Sequence, residues 1–181
     1  MAGNGLRTAR SQGMEGYTGN QAEFSIDPSN ANAIFTGDPV VLSGGNIVAA
    51  TVAANPILGI FMGCRYEDSD GSVKWKNQWD GNTGRTNVRA IVSMPQNSMC
   101  WIKGEAGVNF QPATSIGAAH PFDINSGNPA TGDSGFALAA PGAGPVVVHR
   151  LADIPGNAWG TGEPILEVSV NLLQGTFADA S

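Results

Sequence analysis

The chain has 181 residues, a length that suits one domain or one domain with an ordered extension. Charged residues make up 13% and hydrophobic residues 41%, and the 25 Gly and 11 Pro favour an all-β protein with long loops. The formal net charge of −6, with no cluster of Lys and Arg, argues against nucleic-acid binding, and no apolar run reaches the roughly 18 residues that a membrane span requires.

The first predicted unit is an N-terminal segment, residues 1–30, which is rich in Gly, Asn, Gln and Ser and has almost no apolar periodicity. Such a segment cannot bury enough surface to order itself. We therefore expect an extended arm that lies across a partner subunit. In this interpretation Arg7 and Arg10 pair with an acidic neighbour, while Tyr17 and Phe24 act as sparse anchors.

Residues 37–63 are predicted to form the centre of the fold. Turn signals rich in Gly, Asn and Pro separate three short, β-branched runs, each of strand length. Strands joined so tightly are expected to form an antiparallel meander, the first part of a small β-barrel. The runs are residues 40–42, 47–52 and 57–62.

An acidic turn at residues 67–72 is predicted to lead into a short strand, Val73–Lys76. Three acidic residues within four positions resemble the start of a calcium loop. The alternating ligands and the terminal Glu of that motif are absent, so a solvated hairpin tip is the favoured interpretation.

Three tryptophans, Trp75, Trp79 and Trp101, lie close together in the sequence. Aromatic residues with polar edges are typical of ligand surfaces, and equally of barrel rims and subunit interfaces. A carbohydrate-binding β module would use these residues, or Trp159, as a stacking platform. All of these interpretations remain open at this stage.

The second half of the chain is predicted to add further strands and no convincing helix. The final strand alternates Ile165, Glu167, Ser169 and Asn171 on one face with apolar residues on the other, and we expect it to close the barrel. The predicted domain spans residues 31–175, followed by a tail at 176–181. The other predicted strands are residues 88–94, 99–103, 134–139 and 146–151, with 108–110 as an edge strand.

Neither cysteine suggests special chemistry. Cys64 follows one apolar strand and Cys100 begins another, so both are expected to be buried, free thiols. No CxxC pair or Cys/His cluster stands nearby, and we expect no metal and no cofactor.

Residues Gly132-Asp133-Ser134-Gly135 match the sequence around the nucleophile of chymotrypsin-like proteases. In that family the catalytic His and Asp come far upstream. Here His120 and His149 flank the serine closely on either side, so the spacing does not fit. An ordinary turn leading into a strand is the favoured interpretation, and the chain is not expected to be an enzyme.

Several of these stretches, taken in order, resemble structural proteins of tailed phages. In the first half the pattern of Gly-Asp, apolar strand, glycine turn, apolar strand and Ile-Gly-Ile resembles small capsid-associated β-barrels. The second half is similar to head-associated structural proteins. The matching stretches are FTGDPVVL at 35–42, GNIVAA at 45–50, ILGIFMGC at 57–64, TGDSGFAL at 131–138, VHRLADIPGNAWG at 148–160 and the strand at 167–171.

The resemblance implies a decoration, or cement, protein on the exterior of the virion. Its partners would be the major capsid protein and further copies of itself, a trimer by preference with a dimer as the alternative. We expect an all-β antiparallel barrel or sandwich with long loops and the N-terminal arm. Contact is expected at the residues named above for the arm and at two of the tryptophans: Arg7, Arg10, Tyr17, Phe24, Trp75 and Trp79. A carbohydrate-binding module remains the alternative.

Overall fold

The computed structural model describes residues 5–11, 20–53, 55–95 and 98–172, which form fifteen strands and one helical turn. The all-β class expected from the sequence is confirmed. The elements are β1 (Arg7–Ser11), β2 (Gln21–Ser25), β3 (Ile34–Phe35), β4 (Pro39–Ser43), β5 (Asn46–Ala49), β6 (Gly59–Glu67), β7 (Val73–Lys76), β8 (Gln78–Trp79), β9 (Thr86–Ser93), β10 (Ser98–Lys103), α1 (Pro112–Ser115), β11 (Ala119–His120), β12 (Phe122–Asp123), β13 (Ala137–Leu138), β14 (Val146–Leu151) and β15 (Ile165–Val170).

One sheet has five antiparallel strands in the order β1-β10-β15-β14-β11. Alternation along β10 and β15 sends one set of apolar side chains inward and leaves the other face to solvent. The inward set includes Cys100, Ile102, Leu166 and Val168, each no more than 1% exposed. These residues belong to the first hydrophobic core, which also receives Ile60 from the other large sheet.

The other large sheet has the order β2-β9-β6-β4-β5, with β7 paired to the second half of β6. Its interior face forms a second hydrophobic core around Phe61 and Trp79. The edge strands β2 and β5 come within 8 Å of each other, measured between Cα atoms, without pairing. No sheet formed by the described residues closes into a barrel, so the expected barrel is wrong, and the open antiparallel sheets fit the sandwich alternative.

The three strands predicted at residues 37–63 are present in a different order. Strand β4 pairs with both β5 and β6, so the first strand lies in the middle and the second lies at the sheet edge. The prediction of a meander, with each strand paired to the next in sequence, is therefore wrong. Strand β6 is also longer than expected, because it continues to Glu67 and pairs with β7 and β9 along its second half.

The described parts of the N-terminal segment belong to the chain's own sheets. Strand β1 pairs with β10, and β2 pairs with β9. Leu6 is 1% exposed, and its amide donates to the Gly37 carbonyl at 2.9 Å. The expected extended arm is therefore wrong for these residues, because backbone pairing with existing strands supplies the order that the composition lacks. Contact of this segment with a partner subunit stays a prediction. The boundary after residue 30 stays a prediction, and the predicted tail at 176–181 lies outside the described residues.

Individual strand predictions vary in accuracy. Strands β7 and β14 have the predicted bounds, and Gly71 in the acidic turn has a positive φ of 78°. The strand predicted at 134–139 shrinks to β13, and residues 108–110 form no strand. The short helix α1 was not predicted. Both cysteines are buried and free, as expected.

Candidate interaction surface

The outer face of the five-stranded sheet carries a continuous row of polar and aromatic side chains. Strand register pairs Arg7 with Trp101, Trp101 with Glu167, and Glu167 with Arg150. Directly paired residues on neighbouring strands point to the same side of a sheet. These four residues therefore form one line across β1, β10, β15 and β14, which we call the Trp101 face.

Local sequence explains the row. In β10, Cys100 and Ile102 point into the core, so the alternation leaves Trp101 outside. In β14 the register shifts between Val148 and Arg150, so that Arg150 stands opposite Glu167. A bulge of this kind changes which side chain faces a given partner.

Glu167 is the deepest part of the Trp101 face, with a side chain only 2% exposed. Arg150 donates from Nε to Oε1 at 3.2 Å and from Nη2 to Oε2 at 3.3 Å. The indole Nε1 of Trp101 donates to Oε2 at 3.4 Å. The two parallel hydrogen bonds from the guanidinium group orient Arg150 on the carboxylate, and the third bond orients Trp101, so Glu167 anchors both side chains.

The flank of the face is more open. The Arg7 side chain is 63% exposed, and its Nη2 lies 3.7 Å from Oδ1 of Asp133. Lys103 pairs with Glu163 at 2.8 Å. Between Arg7, Trp101 and Lys103 lies a shallow cavity of about 230 Å³ with Ile154 and Ile165 in its walls. This arrangement offers cations beside an apolar floor, which suits contact with acidic and apolar side chains of another protein.

The four contact residues predicted in the N-terminal segment are only partly placed. Arg7 lies on the Trp101 face, and the backbone of Arg10 pairs with Met99 in the same sheet. Phe24 lies on β2 of the other large sheet, where it is half-buried against the second core. Tyr17 lies outside the described residues.

The two predicted tryptophan contacts differ in exposure. Trp75 lies on β7 and is 55% exposed. Trp79 is fully buried in the second core, and its Nε1 donates to the Asn30 carbonyl at 2.9 Å. The prediction that Trp79 is a surface contact is therefore wrong, because β8 pairs with β3 and the indole lies in the core.

Sequence reasoning missed Arg150 and the depth of Glu167. The alternation in residues 165–173 does put Glu167 on the outer face, in agreement with the strand register. The bulge in β14 carries no clear signal in the sequence, so the partner of Glu167 could not be read from spacing. His149, beside the bulge, instead has Nε2 2.8 Å from Oγ of Ser169.

The Gly-Asp-Ser-Gly stretch forms a buried turn. Ser134 is fully buried, and its Oγ accepts a hydrogen bond from the Phe136 amide at 3.0 Å. The ring nitrogens of His120 lie 2.9 Å from the Ala139 carbonyl oxygen and 3.3 Å from that of Ser115. His149 contacts Ser169 instead, as described above, so neither histidine is hydrogen-bonded to Ser134.

Asp38 adjoins this turn, at the junction of the two large sheets. Its Oδ2 accepts from the Phe35 amide at 2.8 Å, while its Oδ1 has no hydrogen-bond partner in the described part of the chain. Burial raises the pKa of Asp38 to about 6, although hydrogen bonds from Phe35 and Ser134 oppose the rise. The carboxyl group therefore binds the Phe35 amide, and its burial disfavours the ionised form.

Within residues 5–11, 20–53, 55–95 and 98–172, no group of three or more His, Cys, Asp or Glu side chains could hold a metal ion. In the acidic hairpin, Asp68 instead accepts a hydrogen bond from Nζ of Lys74 at 2.6 Å, and Asp70 lies 3.9 Å from the same nitrogen as an ion pair. No helix in the same described ranges is long and apolar enough to cross a membrane. Comparison of the chain with protein-family models, with curated proteins and with solved structures finds no match.

Proposed function

We propose that this chain is a virion structural protein that binds the outside of a tailed-phage capsid and stabilises the shell. The observation that carries the proposal is the Trp101 face, a rigid sheet surface that combines an exposed cation, Arg7, with an anchored aromatic, Trp101. Aromatic and Arg side chains held in place before binding are the usual centres of protein interfaces. The order of motifs that resembles phage head proteins supports the identity of the partner.

Two of the stretches that resemble phage proteins, residues 35–42 and 131–138, are suited to holding the fold together rather than to contact with the shell. The Gly37-Asp38 turn and the turn at residues 132–135 are linked by hydrogen bonds at the junction of the sheets, through Thr36 and Ser134. These stretches hold the two cores together and leave the outer sheet faces for contact. A protein that binds the assembled shell and not its dissociated subunits stabilises the shell by linkage. A homotrimer remains the preferred state, because several copies of the contact face must then dissociate together.

The test uses virions purified from the chain's native source. We expect the protein to co-purify with them at a fixed stoichiometry. Re-addition of purified protein to stripped shells should raise the shell melting temperature. Absence from the virion, together with no sedimentation with stripped shells at saturating concentration, would reject the proposal.

The contact face is tested by Arg7→Glu, which reverses an exposed charge without touching either core. We expect shell binding to weaken by roughly tenfold or more, as for a central charged contact. Lys74→Glu, a charge reversal at the hairpin of the other sheet, is the matched control and should retain binding. Deletion of residues 1–30 is a poor test, because it would remove two strands, β1 and β2.

A carbohydrate-binding module remains the second candidate because Trp75 is 55% exposed on a flat sheet. An exposed indole of this kind can stack on a sugar ring. Glycan-array binding that is lost on Trp75→Ala would favour this candidate, and an empty array would count against it.

A further inference from the structure

The outer face of the six-stranded sheet carries its own cross-strand row, distinct from the Trp101 face. Register pairs Trp75 with Arg65, Arg65 with Arg89, and Arg89 with Ser25. The row crosses β7, β6, β9 and β2, and we call it the Trp75 face. Its two arginines stand directly opposite each other, an arrangement that is unfavourable for pairing of the strands alone.

The face carries two arginines, Arg65 and Arg89, and two carboxylates, Glu23 and Glu67, but the pairing between them is uneven. Arg65 donates from Nε and Nη2 to the two carboxylate oxygens of Glu23, at 3.3 and 3.1 Å. Arg89 donates from Nη1 to the Ser25 hydroxyl at 2.6 Å, and no carboxylate of the described residues lies within 4.0 Å of it. Glu23 is therefore taken by Arg65, and Arg89 keeps hydrogen-bond donors beyond the one that binds Ser25.

A cavity of about 290 Å³ opens beside the arginine pair, with Asn87, Glu67 and Val73 also in its walls. The one carboxylate in these walls, Glu67, accepts a hydrogen bond from Nδ2 of Asn87 at 2.6 Å. Glu67 is thus engaged by Asn87, and Arg89 is the cation in these walls that has no carboxylate within 4.0 Å among the described residues. Its volume accommodates an acidic side chain rather than a whole drug-sized ligand.

Next to the cavity, the face is apolar. Val73 is 70% exposed and Trp75 is 55% exposed. The indole of Trp75 lies over Gly63, where an added Cβ would come within 2.5 Å of Cζ2. Only glycine leaves room for the ring in this position, so Gly63 permits the indole to pack against the backbone of β6.

We propose that the Trp75 face binds an extended acidic segment of a partner protein. One Glu or Asp carboxylate of the segment bridges Arg65 and Arg89, and a neighbouring apolar side chain on the same face packs on Val73 and Trp75. Bidentate arginine donors suit a carboxylate, and residues two apart in an extended chain point to the same side. The inference does not depend on capsid binding, because it concerns the opposite sheet and can be tested without a shell.

The experiment follows the backbone and indole N–H signals of the full chain by NMR during titration with a synthetic peptide. The probe is acetyl-Leu-Ser-Glu-Ser-Leu-amide, and the matched control replaces its Glu with Gln. We expect the Glu peptide to bind at least roughly tenfold more tightly, with shifts at Arg65, Arg89 and the Trp75 indole. Equal binding of both peptides, or shifts elsewhere only, would overturn the proposal.

Variants separate the two halves of the site. Arg89→Gln should weaken binding of the Glu peptide by roughly tenfold, and Trp75→Ala by roughly threefold. Lys74→Gln removes one charge from the alternate side of β7 and should bind as the parent does. Both site variants are surface changes whose melting temperatures show whether the fold is retained. If inorganic phosphate displaces the peptide at equal concentration, a phosphate site replaces the peptide site and the proposal fails.

Discussion

The Trp101 face and the Trp75 face use the same side-chain types in cross-strand rows but differ in the depth of their carboxylates. On the Trp101 face, Glu167 is 2% exposed and lies beneath Arg150. On the Trp75 face, Glu23 and Arg65 are 47% and 49% exposed. The contrast separates an ion pair built into the sheet from one that solvent, or a partner, can readily replace.

This difference follows from what surrounds each row. Glu167 lies on a central strand, β15, with paired neighbours on both sides. Glu23 lies on the edge strand β2, with a neighbour on one side only. A charge in a half-covered position is screened by water, and an exposed pair of this kind contributes little to stability. The Trp75 face can therefore change partners at low cost to the fold.

The largest expected effect concerns Trp75 and Trp79, which lie on the consecutive strands β7 and β8. Trp79→Ala should lower the free energy of unfolding by about 3–5 kcal/mol, because it opens a cavity in the second core and removes a hydrogen-bond donor. Trp75→Ala, on the outer face, should lower it by less than about 1 kcal/mol. Urea unfolding of both variants measures the difference, and similar losses would contradict the assignment of Trp75 to a binding surface.

The second effect concerns Asp38, at the junction between the two large sheets. Its pKa rises from 3.8 to about 6 on folding, because burial disfavours the charged form. The folded state then holds this proton more tightly than the unfolded state. The protonated Asp38 therefore contributes ~3 kcal/mol to the free energy of unfolding. This contribution is fully present below about pH 4 and is lost as the pH rises through about 6.

Asp38→Asn tests this sign, because the variant has no proton to lose. The free energy of unfolding of the variant minus that of the parent should therefore rise by ~3 kcal/mol from pH 4 to pH 8, because only the parent loses stability. The difference between the two proteins cancels the titration of the other carboxyl groups. A constant difference across this range would show that the carboxylate is as well stabilised inside the fold as in water.

The third effect directly compares the two rows. Arg150→Met leaves the buried Glu167 without its bidentate partner, whereas Arg89→Met removes an exposed cation. We expect the melting temperature of Arg150→Met to fall at least roughly 5 °C further than that of Arg89→Met. Equal melting temperatures would remove the distinction between the faces.

How much of this could be predicted from the sequence depends on whether the signal was local. Strands β7 and β14 were predicted with their observed bounds, because composition and turn residues define them within a few positions. The order β5-β4-β6 was not predicted, since pairing partners depend on long-range packing that spacing does not encode. The same limit hid the pairing of β1 and β2 with distant strands.

The candidate surfaces were predicted only in part, for the same reason. Trp75 is exposed and its role as a contact residue stays a prediction, whereas Trp79, four positions later, is buried by pairing of β8 with β3. A tryptophan in a polar loop carries no local signal for which way it faces. The Arg65–Arg89 pair was missed because it joins strands whose register is set by the whole sheet.

The smallest expected effect concerns the exposed ion pair of the Trp75 face. Arg65 and Glu23 are both solvent-exposed, and their mutual hydrogen bonds lower the pKa of Glu23 and raise that of Arg65. Because solvent screens this pair, the double variant Arg65→Gln/Glu23→Gln should melt within roughly 1 °C of the parent. The same double variant should lose binding of the acidic peptide, since one of the two guanidinium groups is gone. A large fall in melting temperature would instead make the pair structural, like Arg150 and Glu167, and would remove the reason to regard the Trp75 face as free to bind.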